Sequence, residues 1–215
     1  VKRFSFFASD GIRWILLAII LTVALWMQFS VYAALPAVFL LLLLMRFYYD
    51  PDRDLPSHPL GIMSPVDGNI VECELFHDPF IDRTARRIRI QSDLFGVYHS
   101  RSPTEGKMME YWPTLKDDVQ GYSHTETSGV WWIQTDEGDN LIIAVNTKLG
   151  WWDTKCNVQV GERVGQARRC GRFPPNSMID IIIDENSFIE AVPGQHVKAG
   201  TDSIAIFNHD VEDSQ

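Results

Sequence analysis

Met178-Ile179-Asp180-Ile181-Ile182-Ile183, reached through Pro174-Pro175-Asn176-Ser177, is the stretch on which the fold turns. The run from Met178 is too apolar and β-branched for a loop and too short for a helix, and it reads as a buried strand. The diproline with Asn-Ser ahead of it is a stiff, turn-prone bend carrying a small hydroxyl. On such a bend Ser177 is a buried turn residue, a nucleophile or the site of a backbone reaction, and the residue types leave all three open.

Outward from this strand the pattern stays β. Strands are predicted at Asn69–Leu75, Arg86–Gln91, Val130–Gln134, Leu141–Asn146 and Ser203–Phe207, separated by turn signals such as Asp67-Gly68 and Pro193-Gly194. No segment after residue 56 shows a helical period over three turns. Gly161-Glu-Arg-Val164 recurs as Gly194-Gln-His-Val197. Such Gly-x-x-Val units are common in hammerhead and barrel-sandwich β folds. Those folds include biotinyl and lipoyl carriers, but Lys198 does not stand at a carrier's hairpin tip, so the repeat speaks for fold. The expected fold class is a mostly β soluble domain of short antiparallel strands, hammerhead or barrel-sandwich-like, with an N-terminal α-helical membrane hairpin.

The hairpin is read from residues 14–44, which carry no charge. As one straight helix they would span about 46 Å, too long for a hydrocarbon core of roughly 30 Å. Two helices fit better, about Ile12–Met27 and Tyr32–Phe47, with a break near Gln28–Ser30. The apolar core is too long for a signal peptide, and a buried core hairpin would show polar faces. Lys2, Arg3 and Arg13 precede the run, and Arg46 and Arg53 follow it, so both ends are expected in the cytoplasm, at the inner membrane. Domains are placed at 1–49 (anchor), 50–60 (a charged, proline-bounded linker) and 61–215 (β-rich domain).

A net charge of −9, with an acidic tail at Asp210, Glu212 and Asp213, argues against a nucleic-acid partner. Cys73, Cys156 and Cys170 lack CxxC spacing and are read as reduced, packed thiols, and the histidines show no metal-ligand spacing. The adjacent Trp131-Trp132 and Trp151-Trp152 face opposite sides of a strand, which leaves one of each pair either core or dipped into a headgroup layer. Arg86-Arg87-Ile-Arg89 is a solvated strand face or, alternatively, an anionic headgroup contact.

Ser64-Pro65-Val66-Asp67-Gly68 resembles the Ser-Pro-x-Asp-Gly signature of phosphatidylserine decarboxylases. Phe47 to Arg53 resembles that family's aromatic-Asp-Pro-x-Arg exit from its anchor, and Arg101-Ser102-Pro103-Thr-Glu-Gly106 its Arg-x-Pro-x-x-Gly segment. Gly161 through Gly171 to Ser177 and Asp180 is similar, without gaps, to the stretch leading into its self-cleavage serine. The resemblance covers roughly residues 45–110 and 155–206. It implies cleavage between Asn176 and Ser177, by attack of the serine hydroxyl on the preceding carbonyl. Elimination would then leave a pyruvoyl group, made from Ser177, whose ketone serves as the electron sink for decarboxylating phosphatidylserine to phosphatidylethanolamine. The implied site is Ser177 with Asp67 and His99, Asp67 orienting the histidine. Implied partners are the membrane and its phosphatidylserine, with a homo-oligomer left open. The chain departs from the family pattern at Asn176, which replaces a glycine, at Pro174-Pro175, which replace Arg-Phe, at Tyr98, which fills the family's histidine slot with His99 beside it, and at His124-Thr-Glu-Thr-Ser-Gly129, which replaces an acidic, Asn-rich segment. A member that has lost processing and binds lipid or a partner protein is therefore the alternative.

Overall fold

The computed structural model describes residues 7–53, 58–115, 117–119, 121–123, 125–147 and 154–208. Lys2, Arg3, linker residues 54–57, His124, Trp151-Trp152, His209 and the acidic tail lie outside them. The chain divides into two compact units, residues 1–53 with 95–98, and 54–94 with 99–215.

The first unit is an apolar helix hairpin, α1 (Ser9–Gln28) and α2 (Val31–Phe47). The break falls at Phe29-Ser30, where the Ser30 hydroxyl accepts from the Ala33 N–H at 3.4 Å and caps α2. Among the described residues, the buried positions of the two helices are all small: Gly11, Ala18, Ala34 and Ala37. Large apolar side chains such as Leu17, Ile20, Trp26, Met27, Phe39 and Leu42 point outward. Small residues let two helices approach closely, and an apolar surface all round suits lipid rather than water. Residues 10–28 are long and apolar enough to cross a membrane. At the mouth of the hairpin the Ala8 N–H donates to the Tyr48 carbonyl at 3.0 Å. Tyr98 belongs here, its ring 5.0 Å from that of Tyr48 and 5.9 Å from that of Phe47.

The second unit is antiparallel β. It opens with β1 (Gly61–Met63), β2 (Gly68–Asp78), β3 (Arg83–Ser92), β4 (Ser100–Arg101) and β5 (Gly106–Trp112). There follow β6 (Thr127–Gln134), β7 (Asn140–Asn146), β8 (Lys155–Cys156), β9 (Arg163–Val164) and β10 (Arg169–Arg172). The last four are β11 (Met178–Asp184), β12 (Phe188–Ile189), β13 (His196–Val197) and β14 (Ser203–Ile206). Eight strands form one sheet in the order β13-β2-β3-β11-β7-β6-β5-β9. Among the described residues there are also two three-stranded sheets, β1-β14-β12 and β4-β10-β8. Register shifts in β2, β5 and β6 bend the large sheet, as bulges do.

Strand β11 lies inside this sheet, paired with β3 and β7. Ile179, Ile181 and Ile183 enter the main core with Ile88, Ile90, Ile143 and Trp131. Ile182 faces the other way, into a second cluster with Ala85, Val130, Ala144, Leu115 and Tyr122. Both faces of the strand are covered, which is why its sequence reads as a nearly continuous apolar run rather than an alternation. The two covered faces also settle one tryptophan pair. Trp131 is buried between Tyr111 and Phe173, with ring centroids at 5.8 and 4.6 Å, and Trp132 packs against the second cluster and donates to Asn140 Oδ1 at 2.9 Å. Neither is left exposed for a headgroup layer.

The sequence repeat is a structural one. Gly161 and Gly194 both adopt positive φ (88° and 86°), each leads into a two-residue strand, and Val164 and Val197 both enter the core. The likeness runs further than the motif, because Ala167 and Gly200 occupy equivalent positions and also adopt positive φ (58° and 68°).

Candidate active site

The motifs quoted separately from the sequence meet in space. The Arg101 N–H donates to the Pro65 carbonyl at 2.9 Å and the Met63 N–H to the Pro103 carbonyl at 2.8 Å, so the segments around Ser64–Gly68 and Arg101–Gly106 lie side by side. The Ala167 N–H donates to the Ser102 carbonyl at 2.8 Å, which adds the stretch leading to Ser177. Gly68 has no room for a side chain: a Cβ there would stand 2.3 Å from the Gln91 carbonyl oxygen, near the end of β3.

Ser177 immediately precedes β11 and is 1% exposed. It shares a strand face with Ile179, so its side chain points toward the main core. The pairing of Met178 with Gln91 sets Ser177 opposite Ser92, which is also buried. The Ser92 N–H donates to the Ser177 carbonyl at 2.9 Å, and the Ser177 N–H donates to Ser92 Oγ at 2.9 Å. The two Oγ atoms are 3.2 Å apart. Ser177 Oγ also donates to the Pro174 carbonyl at 2.6 Å, closing the bend on itself. Ser92 and Gln91 were not singled out from the sequence. They end the Arg-Ile-Arg-Ile-Gln alternation, and only the β3–β11 register brings them to the serine.

Asn176 has φ of +55°, the left-handed region that glycine enters freely and asparagine enters more readily than other side chains. Its side-chain oxygen accepts from Gln91 Nε2 at 3.1 Å. The asparagine thus adopts at this bend a backbone conformation that glycine enters without strain. Asn176→Val should cost about 1–2 kcal/mol at this position, whereas Asn176→Gly should leave stability within a few tenths. Thermal melts of the two variants check this, and equal melting temperatures would show that the bend does not demand positive φ.

Asp67 adjoins Gly68, which pairs with Ser92 across the β2–β3 ladder. One carboxylate oxygen of Asp67 accepts from the Ala199 N–H at 2.8 Å, and its carbonyl accepts from the Asp93 N–H at 2.9 Å. His99 stands half-buried just ahead of β4 rather than within a strand. Among the described residues, the side-chain oxygen of Ser177 meets Ser92 and Pro174, not a histidine or a carboxylate. At this end of the sheet His196 Nε2 also lies 2.9 Å from Asp93 Oδ2.

On the opposite face, one row along β11, Asp180 is fully buried. Arg89 grips it with both nitrogens, Nε to Oδ1 at 2.7 Å and Nη2 to Oδ2 at 3.0 Å, and Tyr122 donates its hydroxyl to Oδ2 at 2.9 Å. Arg89 Nη1 reaches Glu72 at 2.5 Å. Arg87 lies 4.2 Å over the Phe76 ring, pairs with Glu74 and approaches Asp180 at 3.9 Å. Burial first, and then the Asp180 charge, push the Tyr122 phenol well above its ordinary range; the hydrogen bond to Asp180 holds the Arg89 guanidinium firmly charged. Arg87 and Arg89 are thus neither a solvated face nor a headgroup contact. They neutralise an internal carboxylate. The cysteines are free thiols, and burial pushes Cys170 up to about 12.

The family model of phosphatidylserine decarboxylase matches residues 40–205, a span that contains every segment described above from Phe47 to Asp180. The chain belongs to the phosphatidylserine decarboxylase family. Similar relatives include the phosphatidylserine decarboxylase proenzymes of Nitrosomonas eutropha, 28% identical over 93% of this chain and 94% of that one, and Burkholderia vietnamiensis, 29% identical over 80% and 82%. Among solved structures, the glucose permease IIA from Mycoplasma capricolum aligns with a TM-score of 0.45 and 18% identity over 70% of this chain and 96% of its own.

Proposed function

We propose that this protein is a proenzyme that cleaves itself between Asn176 and Ser177. The product would decarboxylate phosphatidylserine to phosphatidylethanolamine at the cytoplasmic face of the inner membrane. The observation that carries this reading is the setting of Ser177 in a chain of this family: a buried serine on a left-handed residue, at the head of the central strand. The relatives from Nitrosomonas eutropha and Burkholderia vietnamiensis are both named proenzymes, which weighs against a non-processing lipid-binding member.

The residues around Ser177 fit a pyruvoyl group derived from it. Strand β11 is paired along its length with β3 and β7, so a chain cut at Asn176–Ser177 would keep its new end in the core. The following β12, β13 and β14 pair with β14, β2 and β1, so the segment from 177 onward stays woven into the unit. The group supplies a ketone electrophile that no ordinary side chain offers. Ser92 and Gln91 would hold its backbone, through the Ser92 N–H to the Ser177 carbonyl and Gln91 Nε2 at 3.4 Å from the same oxygen. Main-core side chains such as Ile179 and Phe173 keep water from the buried face. The apolar hairpin supports action at a membrane, where the substrate resides, and Arg13, Arg46 and Arg53 at its ends favour the cytoplasmic side.

The full chain in vesicles of phosphatidylserine and phosphatidylcholine tests the reading. Phosphatidylethanolamine should appear with one carbon dioxide per lipid, and phenylhydrazine, which captures ketones, should stop it. No phosphatidylethanolamine, or turnover indifferent to phenylhydrazine, contradicts the proposal.

A further inference from the structure

Self-cleavage needs a proton removed from Ser177 Oγ and a proton delivered to Ser177 N, and one side chain touches both atoms. We propose that the Ser92 hydroxyl is the proton relay of the cleavage reaction, in the place where a histidine would otherwise be sought. This rests on the self-cleavage reading given above.

Ser92 Oγ lies 3.2 Å from the oxygen that must lose a proton and 2.9 Å from the nitrogen that must gain one. Both distances are within hydrogen-bond reach. Ser177 Oγ forms the new bond to the Asn176 carbonyl carbon and passes its proton to Ser92 Oγ. As that carbon becomes tetrahedral, the nitrogen pyramidalises and its lone pair takes the proton Ser92 already carried. The C–N bond then breaks, leaving an ester on Ser177 Oγ, a free amine on Ser177 and a neutral Ser92 hydroxyl. No oxidant, metal or net charge is required. Ser92 has a second acceptor in the Pro174 carbonyl at 3.5 Å, the carbonyl to which Ser177 Oγ donates at rest. Rotation of the Ser177 hydroxyl from Pro174 to Ser92 therefore switches the bend from resting to reactive. Both hydroxyls are buried, so bulk water does not compete for the relay.

The test follows disappearance of the full chain after a pulse of synthesis in a cell-free system with vesicles, for the unaltered chain and for Ser92→Ala, Ser92→Val and Ser92→Thr. Valine matches threonine in shape and lacks only the hydroxyl. A positioned proton-transfer group contributes about 10²–10⁴-fold, so Ala and Val should slow cleavage by that range while Thr stays within about tenfold of the unaltered chain. The rate of the unaltered chain in mixtures of H₂O and D₂O should curve with deuterium content, because two protons move together; the residual rate of Ser92→Ala should vary linearly. A role in packing alone moves neither the Thr–Val contrast nor this curvature. Cleavage of Ala and Val at the unaltered rate, Thr as slow as Val, or a linear dependence in the unaltered chain overturns the relay and leaves self-cleavage standing. An unaltered chain that never splits overturns the self-cleavage reading and the relay with it.

Discussion

Ser177→Ala is expected to yield a single uncut chain, where the unaltered protein yields two. The expectation is all-or-none because in the proposed reaction the Ser177 hydroxyl is the attacking group, and an ester formed by any other hydroxyl, Ser92 included, could not lead to a pyruvoyl group at residue 177. The variant should still fold. Alanine gives up the bond to the Pro174 carbonyl and the contact with Ser92, but the Ser177 N–H keeps Ser92 Oγ as its partner. Losing one hydrogen bond of this kind costs about 1 kcal/mol, which for a chain of this size lowers the melting temperature by about 2–4 °C. Loss of cleavage with so small a change in stability separates chemistry from folding. Continued cleavage of Ser177→Ala at the same bond would remove this serine from the reaction.

Asp180→Ala should be the most damaging single change to the fold. The carboxylate is fully buried and receives both nitrogens of Arg89 and the hydroxyl of Tyr122, with Arg87 at 3.9 Å. Taking away one partner of a buried ion pair strands the other charge and costs about 3–5 kcal/mol. That is a large part of a total stability of roughly 5–15 kcal/mol. Urea unfolding should show a midpoint lowered accordingly. Arg89→Met together with Asp180→Leu should recover most of the loss, because replacing both charges with apolar residues leaves none unpaired. An Asp180→Ala midpoint within error of the unaltered protein would mean that water or another group already neutralises the arginines.

Asp180 also shows how far the sequence could be read. A carboxylate in the middle of Met178–Ile183 stands where both strand faces are covered, so it demanded cations. The Arg87 and Arg89 that meet it were visible as an alternation, but only the pairing of Asp180 with Arg89 shows that they turn inward. The strands themselves were legible, because β-branched runs bounded by turn residues leave little choice. The helix break was legible too, from Gln28–Ser30 and the length of the apolar run. β5 was not, since Gly106–Trp112 mixes charge and bulk without clean alternation and carries a bulge. At the site, Ser177 and Asn176 could be found from the chain alone, and the positive φ at Asn176 follows from asparagine's tolerance of it. Ser92 could not, because its approach depends on register between distant strands. Counting along the motif puts Tyr98 in the family's histidine slot but does not show its packing with Phe47 and Tyr48 in the hairpin unit. Local counting carries no information about such long-range packing.

The intact masses of the purified, detergent-extracted protein under denaturing conditions test the central claim most directly. Two chains are predicted, residues 1–176 and 177–215, with the smaller one lighter than its sequence by the replacement of a serine amine with a ketone, and closed to N-terminal sequencing. A single chain of 24.6 kDa, or a smaller chain beginning with an ordinary serine, would contradict it.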